Sequence, residues 1–518
     1  VKAAMDASTK DAERLREWMR VRVEGISRRA AQVLAWRGTP WVLLAALGAA
    51  YATGYFRHEL FPGHADDGVA RGWWTWSDQQ KYLQEARAIA DGRLDRTTYV
   101  YPVGYPALGA VFISWMPVNP FFVPNLLLVL GAAAMGWRLA RRWLGVVETV
   151  AVGMIFVATH GWLVANTMIV PWNTLATQFT LLVGVWLVHA RTGIGAVAML
   201  SGLAAAAYVV RPVDAVAFGP LLVYATLRLS TWKARIAAGV LGISMIAAAV
   251  AFVGGLNVAI FGQWRTPYEM ASMETVGFFG YPISFKLFWL FVDGWPLFGE
   301  TEPALLWRYP WLFLVLPAAV WWVQREGAAG VAALSAVGVS ALLYSNYNDL
   351  LPSDIYRFTL LHYLSWWFPL MFVVAWAACR RGWRNGVVRA GFAEAALLLV
   401  VCAGLRLEPR ALAAQVETIA ENAWRLPEAR PLLVECAGVP METVTQLRLD
   451  GRPLVEYSQY LVPYVPSELK MLLGRKASGA VLTMEGVTLD EGPNVSEYRW
   501  AWRASRKRLS PVFEYRQR

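Results

Sequence analysis

The stretch whose reading decides the fold is Trp73–Leu108, WWTWSDQQKYLQEARAIADGRLDRTTYVYPVGYPAL. It follows the first strongly apolar segment and is itself too polar to span a bilayer. Ser77 followed by Gln80 fits a capping box, with Ser77 as N-cap and Gln80 reaching back. Asp78 then falls in the first helical turn, where a carboxylate complements the helix dipole. Tyr82, Leu83, Ala86, Ile89 and Ala90 form one apolar stripe at helical spacing. Gly92 stops the helix, and Pro102, Gly104 and Pro106 interrupt the chain beyond it. Three tryptophans just before the helix suit a membrane–water boundary. The pattern predicts an amphipathic helix lying on a membrane surface with Asp78 at its mouth.

Composition extends this outward. The 518 residues are 57% hydrophobic and only 16% charged, with 27 tryptophans. A soluble domain carries about 25% charge, and several runs here exceed the roughly 18 apolar residues that read as a span. The chain therefore reads as a polytopic α-helical membrane protein. Its excess of 48 Lys and Arg over 37 acids falls mostly in short loops between spans, which removes the argument for nucleic acid. Cys379, Cys402 and Cys436 are too scattered for a disulfide framework or a metal cluster.

Eleven stretches are candidate spans, roughly 40–56, 121–138, 144–160, 172–189, 194–210, 213–228, 236–260, 307–323, 327–344, 359–378 and 387–405. Residues 1–38 form a basic arm, too long and polar to be the charged start of a signal peptide. With that arm in the cytoplasm, the inside loops include RLARRW (138–143), RLSTWKAR (228–235) and CRRGWRNGVVR (379–389). The positive-inside rule is obeyed at each. Three longer loops then face outward: 57–120, 261–306 and 344–358. Residues 406–518 are less apolar and read as a small α+β or mostly β soluble domain outside the membrane, with a hairpin at VTQLRL–DG–RPLVEY (444–457). The Arg503–Arg508 basic run has two readings, a solvated face or contact with anionic headgroups.

The span interiors are nearly free of charge, and the charge that needs explaining sits in the outer loops. A transporter places ionisable groups or broken helices near the midplane, so the pattern favours an interfacial enzyme, with a lipid or glycan flippase as the alternative. Asp78 either complements its helix dipole or accepts a proton as a general base, its tryptophan neighbours raising its pKa by desolvation. Arg211, in VVRPVDA, either snorkels or offers its forked donors to phosphate. Arg357, beside Tyr356 and near His362, has the same two readings. Lys81 lies one turn from Asp78. Tyr268 and Glu269 could hydrogen-bond a sugar or pack a loop. The chain contains no Walker lysine loop, dinucleotide glycine turn, HExxH or paired CxxC.

In order and topology these pieces resemble the GT-C glycosyltransferase superfamily, nearest to the group of protein O-mannosyltransferases and bacterial lipid A aminoarabinose transferases. The matching elements are Asp78-Gln79-Gln80-Lys81-Tyr82, Tyr101-Pro102-Val103-Gly104-Tyr105-Pro106, Arg211-Pro212, Phe261-Gly262 through Tyr268, and Tyr356-Arg357. The resemblance covers roughly residues 40–405 and implies a GT-C-like catalytic domain in a bacterial inner membrane, facing the periplasm or exterior. It implies transfer, with inversion, from a polyprenyl-phosphate sugar to a lipid, glycan or protein acceptor. By analogy Asp78 activates the acceptor, and Arg211, Arg357 and Lys81 hold the donor phosphate. The same reading expects Tyr82, Tyr101, Tyr105, Tyr268, Glu269, Tyr356 and His362 to contact substrate. Two positions depart from the family pattern. Gln79 stands where members often carry Glu, and Asn173 stands where a second acid is common. Those departures leave the acceptor class and any divalent cation open.

Overall fold

The computed structural model describes residues 36, 38–64, 69–270, 283–292, 305–347 and 362–381. In the tail it describes 407–428, 432–436, 439, 446–453, 469–473, 479–485 and 492–502. Helices occupy the described parts of the first ten candidate stretches; residues 359–361 of the tenth and the whole eleventh (387–405) lie outside the described residues. Those that position the site are α1 (Thr39–Phe56), α2 (Ser77–Ala90), α3 (Gly104–Ala110), α4 (Phe122–Ala140), α5 (Val146–Thr159), α6 (Thr174–Ala190), α7 (Ile194–Val210), α8 (Gly219–Leu227), α9 (Trp232–Phe261), α10 (Ile283–Leu287), α11 (Val315–Glu326), α12 (Ala328–Asn346) and α13 (Trp367–Arg381). Among the described residues α4, α9 and α12 are long and apolar enough to cross a membrane. Six further apolar segments are shorter.

One expected span is broken. Pro212 follows α7, and proline disfavours the helical conformation for the residue before it. Arg211 accordingly takes extended backbone angles (φ −159°, ψ 91°). A 3₁₀ turn, Pro212–Phe218, then leads into α8, so the expected helix over 213–228 is a 3₁₀ segment followed by a nine-residue helix. The main core joins α6, α7, α8, α11, α12 and α13 through Leu181, Val185, Leu200, Leu221, Trp322, Ala333 and Phe368.

A second core sits at the end of the helices where residues 57–120 lie. Tyr51 and Tyr55 of α1 meet Trp73, Trp74, Tyr82, Leu83, Ala86, Tyr101, Tyr105, Phe121 and Trp172. Tyr82, Leu83 and Ala86, the centre of the α2 apolar stripe, are spent on this cluster. That corrects the expectation of a membrane-lying helix: their face is buried in protein, Tyr82 at 2% exposure and Ala86 at 0%. Leu108, Val111 and Trp115, on α3 and the turn after it, are exposed instead. The N-terminus of α2 also differs from expectation. Trp76 is the N-cap, without a side-chain cap bond, and the Gln80 amide donates to the Trp76 carbonyl (2.9 Å). The C-terminus follows the sequence. Gly92 has φ +65°, its amide donates to Ile89 (3.1 Å) and the Arg93 amide to Ala88 (2.8 Å), the paired bonds of a Schellman motif.

The described tail residues form strands and no α-helix. Two sheets, ordered β1-β9-β4-β7 and β2-β3-β8-β5-β6, are antiparallel throughout. Strands β1 (Leu407–Ala413), β4 (Leu432–Cys436), β7 (Leu469–Leu473) and β9 (Asn494–Trp502) alternate along the chain with β2 (Glu417–Ala420), β3 (Ala423–Arg425), β5 (Leu447–Leu449), β6 (Arg452–Pro453) and β8 (Val481–Met484). This is the strand order of a jelly-roll sandwich. Val434, Cys436 and Met471 face Trp424, Leu449 and Leu482 across its core. The anticipated hairpin joins β5 to β6, with Asp450 at φ +50° and Gly451 at +76°, as a two-residue turn of this hand requires.

Candidate functional site

The segment 99–104 crosses the buried face of α2 and carries Tyr101 to Asp78. The Tyr101 phenol donates to Asp78 Oδ1. Its ring packs against Tyr82 (5.0 Å between centroids) and Tyr268 (4.8 Å), and the two hydroxyls of Tyr101 and Tyr268 lie 3.4 Å apart. Gly104 lets the segment lie directly on the end of α7, since a Cβ there would meet the Val209 carbonyl oxygen at 2.8 Å. Two residues beyond Val209 is Arg211. One glycine contact therefore ties the Tyr101 segment to the arginine.

Asp78 is half-buried. Burial pushes its carboxyl above the ordinary range, opposed in turn by the Tyr101 hydrogen bond and by the positive charges of Arg211 and Lys81. Lys81, half-buried one turn along α2, stands between Asp78 and Glu85 and lowers the pKa of both.

Arg211 is held from three sides. Its Nε donates to the Tyr344 hydroxyl (2.9 Å) and lies 3.3 Å from Asp214 Oδ2, while Nη1 donates to Asn173 Oδ1 (3.0 Å). The guanidinium lies over the Tyr363 ring at 4.4 Å, a cation–π contact worth about 0.5–2 kcal/mol. Asp214, 5% exposed, also accepts from Thr177 (2.6 Å) and from the Tyr344 hydroxyl. Nη2 has no protein partner among the described residues.

The sequence-derived candidates divide accordingly. Asp78, Lys81, Tyr82, Tyr101, Tyr268 and Arg211 converge. His362 stacks on Trp172 (4.1 Å) and adjoins Tyr363 (4.1 Å), so it lies one ring removed from Arg211. Tyr105 is turned away: it is fully buried, its hydroxyl donates to Asn125 (3.0 Å), and its ring stacks on Phe121. Glu269 belongs to a capping pair, accepting from the Thr266 amide while its own amide donates to Thr266 Oγ1, both at 3.0 Å. Tyr356 and Arg357 lie outside the described residues. Among the described residues no group of three or more His, Cys, Asp or Glu side chains is placed to hold a metal ion.

Sequence reasoning overlooked Glu85 and noted Gln79 only as a departure from the family pattern; both are at 0% exposure. The carboxyl of Glu85 accepts from the Val100 and Tyr101 amides (3.3 Å each). Gln79 Nε2 donates to the Pro171 carbonyl (3.0 Å), anchoring the turn that presents Trp172 and Asn173. A signal for Glu85 existed: it falls seven residues after Asp78, two turns on, and so shares its face. Tyr344 and Tyr363 carried no local signal. Comparison with protein-family models, with curated proteins and with solved structures returned no match for this chain.

Proposed function

We propose that this chain is a GT-C-like membrane glycosyltransferase, spanning the bilayer with all eleven candidate segments. It moves a sugar from a polyprenyl-phosphate donor to an acceptor hydroxyl on the extracytoplasmic face of a bacterial inner membrane. The observation that carries the reading is that Asp78, its pKa raised by burial, lies within reach of the Arg211 charge, beside an aromatic wall of Tyr82, Tyr101 and Tyr268. Asp78 takes the proton of the acceptor hydroxyl as its oxygen attacks the anomeric carbon. The bond from that carbon to the phosphate oxygen breaks, the configuration inverts, and the charge growing on the departing polyprenyl phosphate is stabilised by Arg211. Arg357 is proposed to join it, and a divalent cation remains compatible with this scheme.

One observation speaks for a flippase, the buried Asp214 in the 3₁₀ break between α7 and α8. Its carboxylate is engaged by Arg211, Thr177 and Tyr344, so it acts as the arginine's anchor and the transferase reading stands ahead. The test uses the purified full chain in lipid nanodiscs, with radiolabelled polyprenyl-phosphate hexoses and pentoses and a panel of envelope acceptors. Asp78→Asn lowers transfer by about 10²–10⁴-fold, the usual contribution of a general base, with thermal unfolding unchanged. Wild-type transfer by D78N refutes the assignment.

A further inference from the structure

The proposed mechanism makes no use of Glu85, a carboxyl group buried at 0% exposure in the helix that also carries Asp78. Seven residues advance an α-helix by about 10.5 Å and return it to nearly the same azimuth. Asp78 and Glu85 therefore stand as two posts on one face. The segment 99–104 is laid across them. At one post the Glu85 carboxyl receives the backbone amides of Val100 and Tyr101. At the other the side chain of that same Tyr101 donates to Asp78. The residue gripped by its main chain at Glu85 is thus the residue that touches Asp78 with its phenol.

We infer that Glu85 is a positioning residue whose two-point grip on the Val100–Tyr101 amides sets the Tyr101 phenol against Asp78 and so tunes that carboxylate. The grip is economical in structure. Backbone amides buried without a partner are rare and costly, and among the described residues no strand pairs these two. The Glu85 carboxyl places one oxygen against each amide, so a single side chain reaches both. The remaining groups around the pair are accounted for. Asp78 faces Tyr101, the Arg211 charge from the end of α7 and Lys81 from its own helix. Glu85 faces Lys81 and the two amides, and its charge reaches Tyr99. Among the described residues, the Tyr101 segment alone connects the two carboxyl groups through hydrogen bonds that a substitution at 85 would release.

The consequence for catalysis rests on the transferase reading, but the positioning itself does not, and the experiment separates the two. The Asp78 carboxyl is titrated by infrared difference spectroscopy, each protein being referenced to its own D78N counterpart, in nanodisc-embedded full chain. No transfer assay enters. Loss of a hydrogen bond to a charged group costs about 1.5–3 kcal/mol, equivalent to one to two pH units, so Tyr101→Phe raises the Asp78 midpoint by about that amount. Glu85→Met, which keeps the length and removes both acceptors, raises it by the same amount, whereas Glu85→Gln, which keeps one of the two acceptors, raises it less. If E85M fails to fold with two amides unpaired, Glu85→Ala opens room for water to satisfy them, and its midpoint decides in the same way. A wild-type midpoint in E85M or E85A, or an E85Q midpoint displaced as far as theirs, overturns the assignment.

Discussion

Glu85 also makes stability depend on pH, and the dependence can be worked through. Burial raises its carboxyl from an ordinary 4.5 to about 8, against the two backbone amides and Lys81, which pull it down. The native state therefore holds a proton that the unfolded chain has released. Stability contributed by that proton is full below pH 4.5, declines as pH rises, and is gone once pH has passed about 8. A displacement of roughly 3.5 units at 1.36 kcal/mol each amounts to about 5 kcal/mol, comparable with the net stability of a small domain. Glu85→Gln carries no titrating proton and removes this component. Denaturant unfolding of the full chain in mixed micelles, followed by tryptophan fluorescence at a series of pH values, measures it. The wild-type curve falls relative to the E85Q curve between pH 4.5 and about 8, and the two run parallel outside that window. Parallel curves throughout would show that Glu85 titrates as it does in water, and the account of its burial would be wrong.

Three other substitutions probe the parts of the site separately. Tyr101→Phe removes a donor that holds the Asp78 pKa down, so the acid limb of the transfer pH profile moves up by about one to two units; an unmoved limb breaks the link between the phenol and the base. Gly104→Ala drives a methyl group onto the Val209 carbonyl, at a cost of about 1–3 kcal/mol visible as a lower unfolding midpoint; an unchanged midpoint means that the segment does not lie on α7. Asn173→Asp places a second carboxylate on the Arg211 guanidinium, which Asp214 already neutralises. Donor KM then rises on the order of tenfold, about 1.4 kcal/mol, with kcat less affected; an unaltered KM takes Arg211 out of donor binding.

Local pattern and global packing divide the rest between them. Helix periodicity placed α2, and the positive-φ requirement of Gly92 placed its end, because both depend on neighbours a few residues apart. The Asp450-Gly451 hairpin was legible for the same reason. Hydropathy marked the apolar helices, since burial in an oily medium is an additive property of composition. What composition could not reveal is which medium covers a given face. The stripe Tyr82–Leu83–Ala86 suits lipid and protein equally, and only the arrival of Tyr51, Tyr55, Trp73 and Tyr101 turned it inward.

The candidate site shows the same boundary. Asp78 and Arg211 stood out in the sequence because a lone charge beside an apolar run requires an explanation. That the Arg211 charge reaches Asp78, that Tyr105 and Glu269 do not join them, and that Glu85 stands behind Tyr101 were decided only in three dimensions. Contacts such as Arg211 to Tyr344 or Gln79 to Pro171 join residues 133 and 92 positions apart. A hydrogen bond depends on a few ångströms and an angle, quantities that chain separation does not encode, whereas helix period and hydropathy are written residue by residue along the chain.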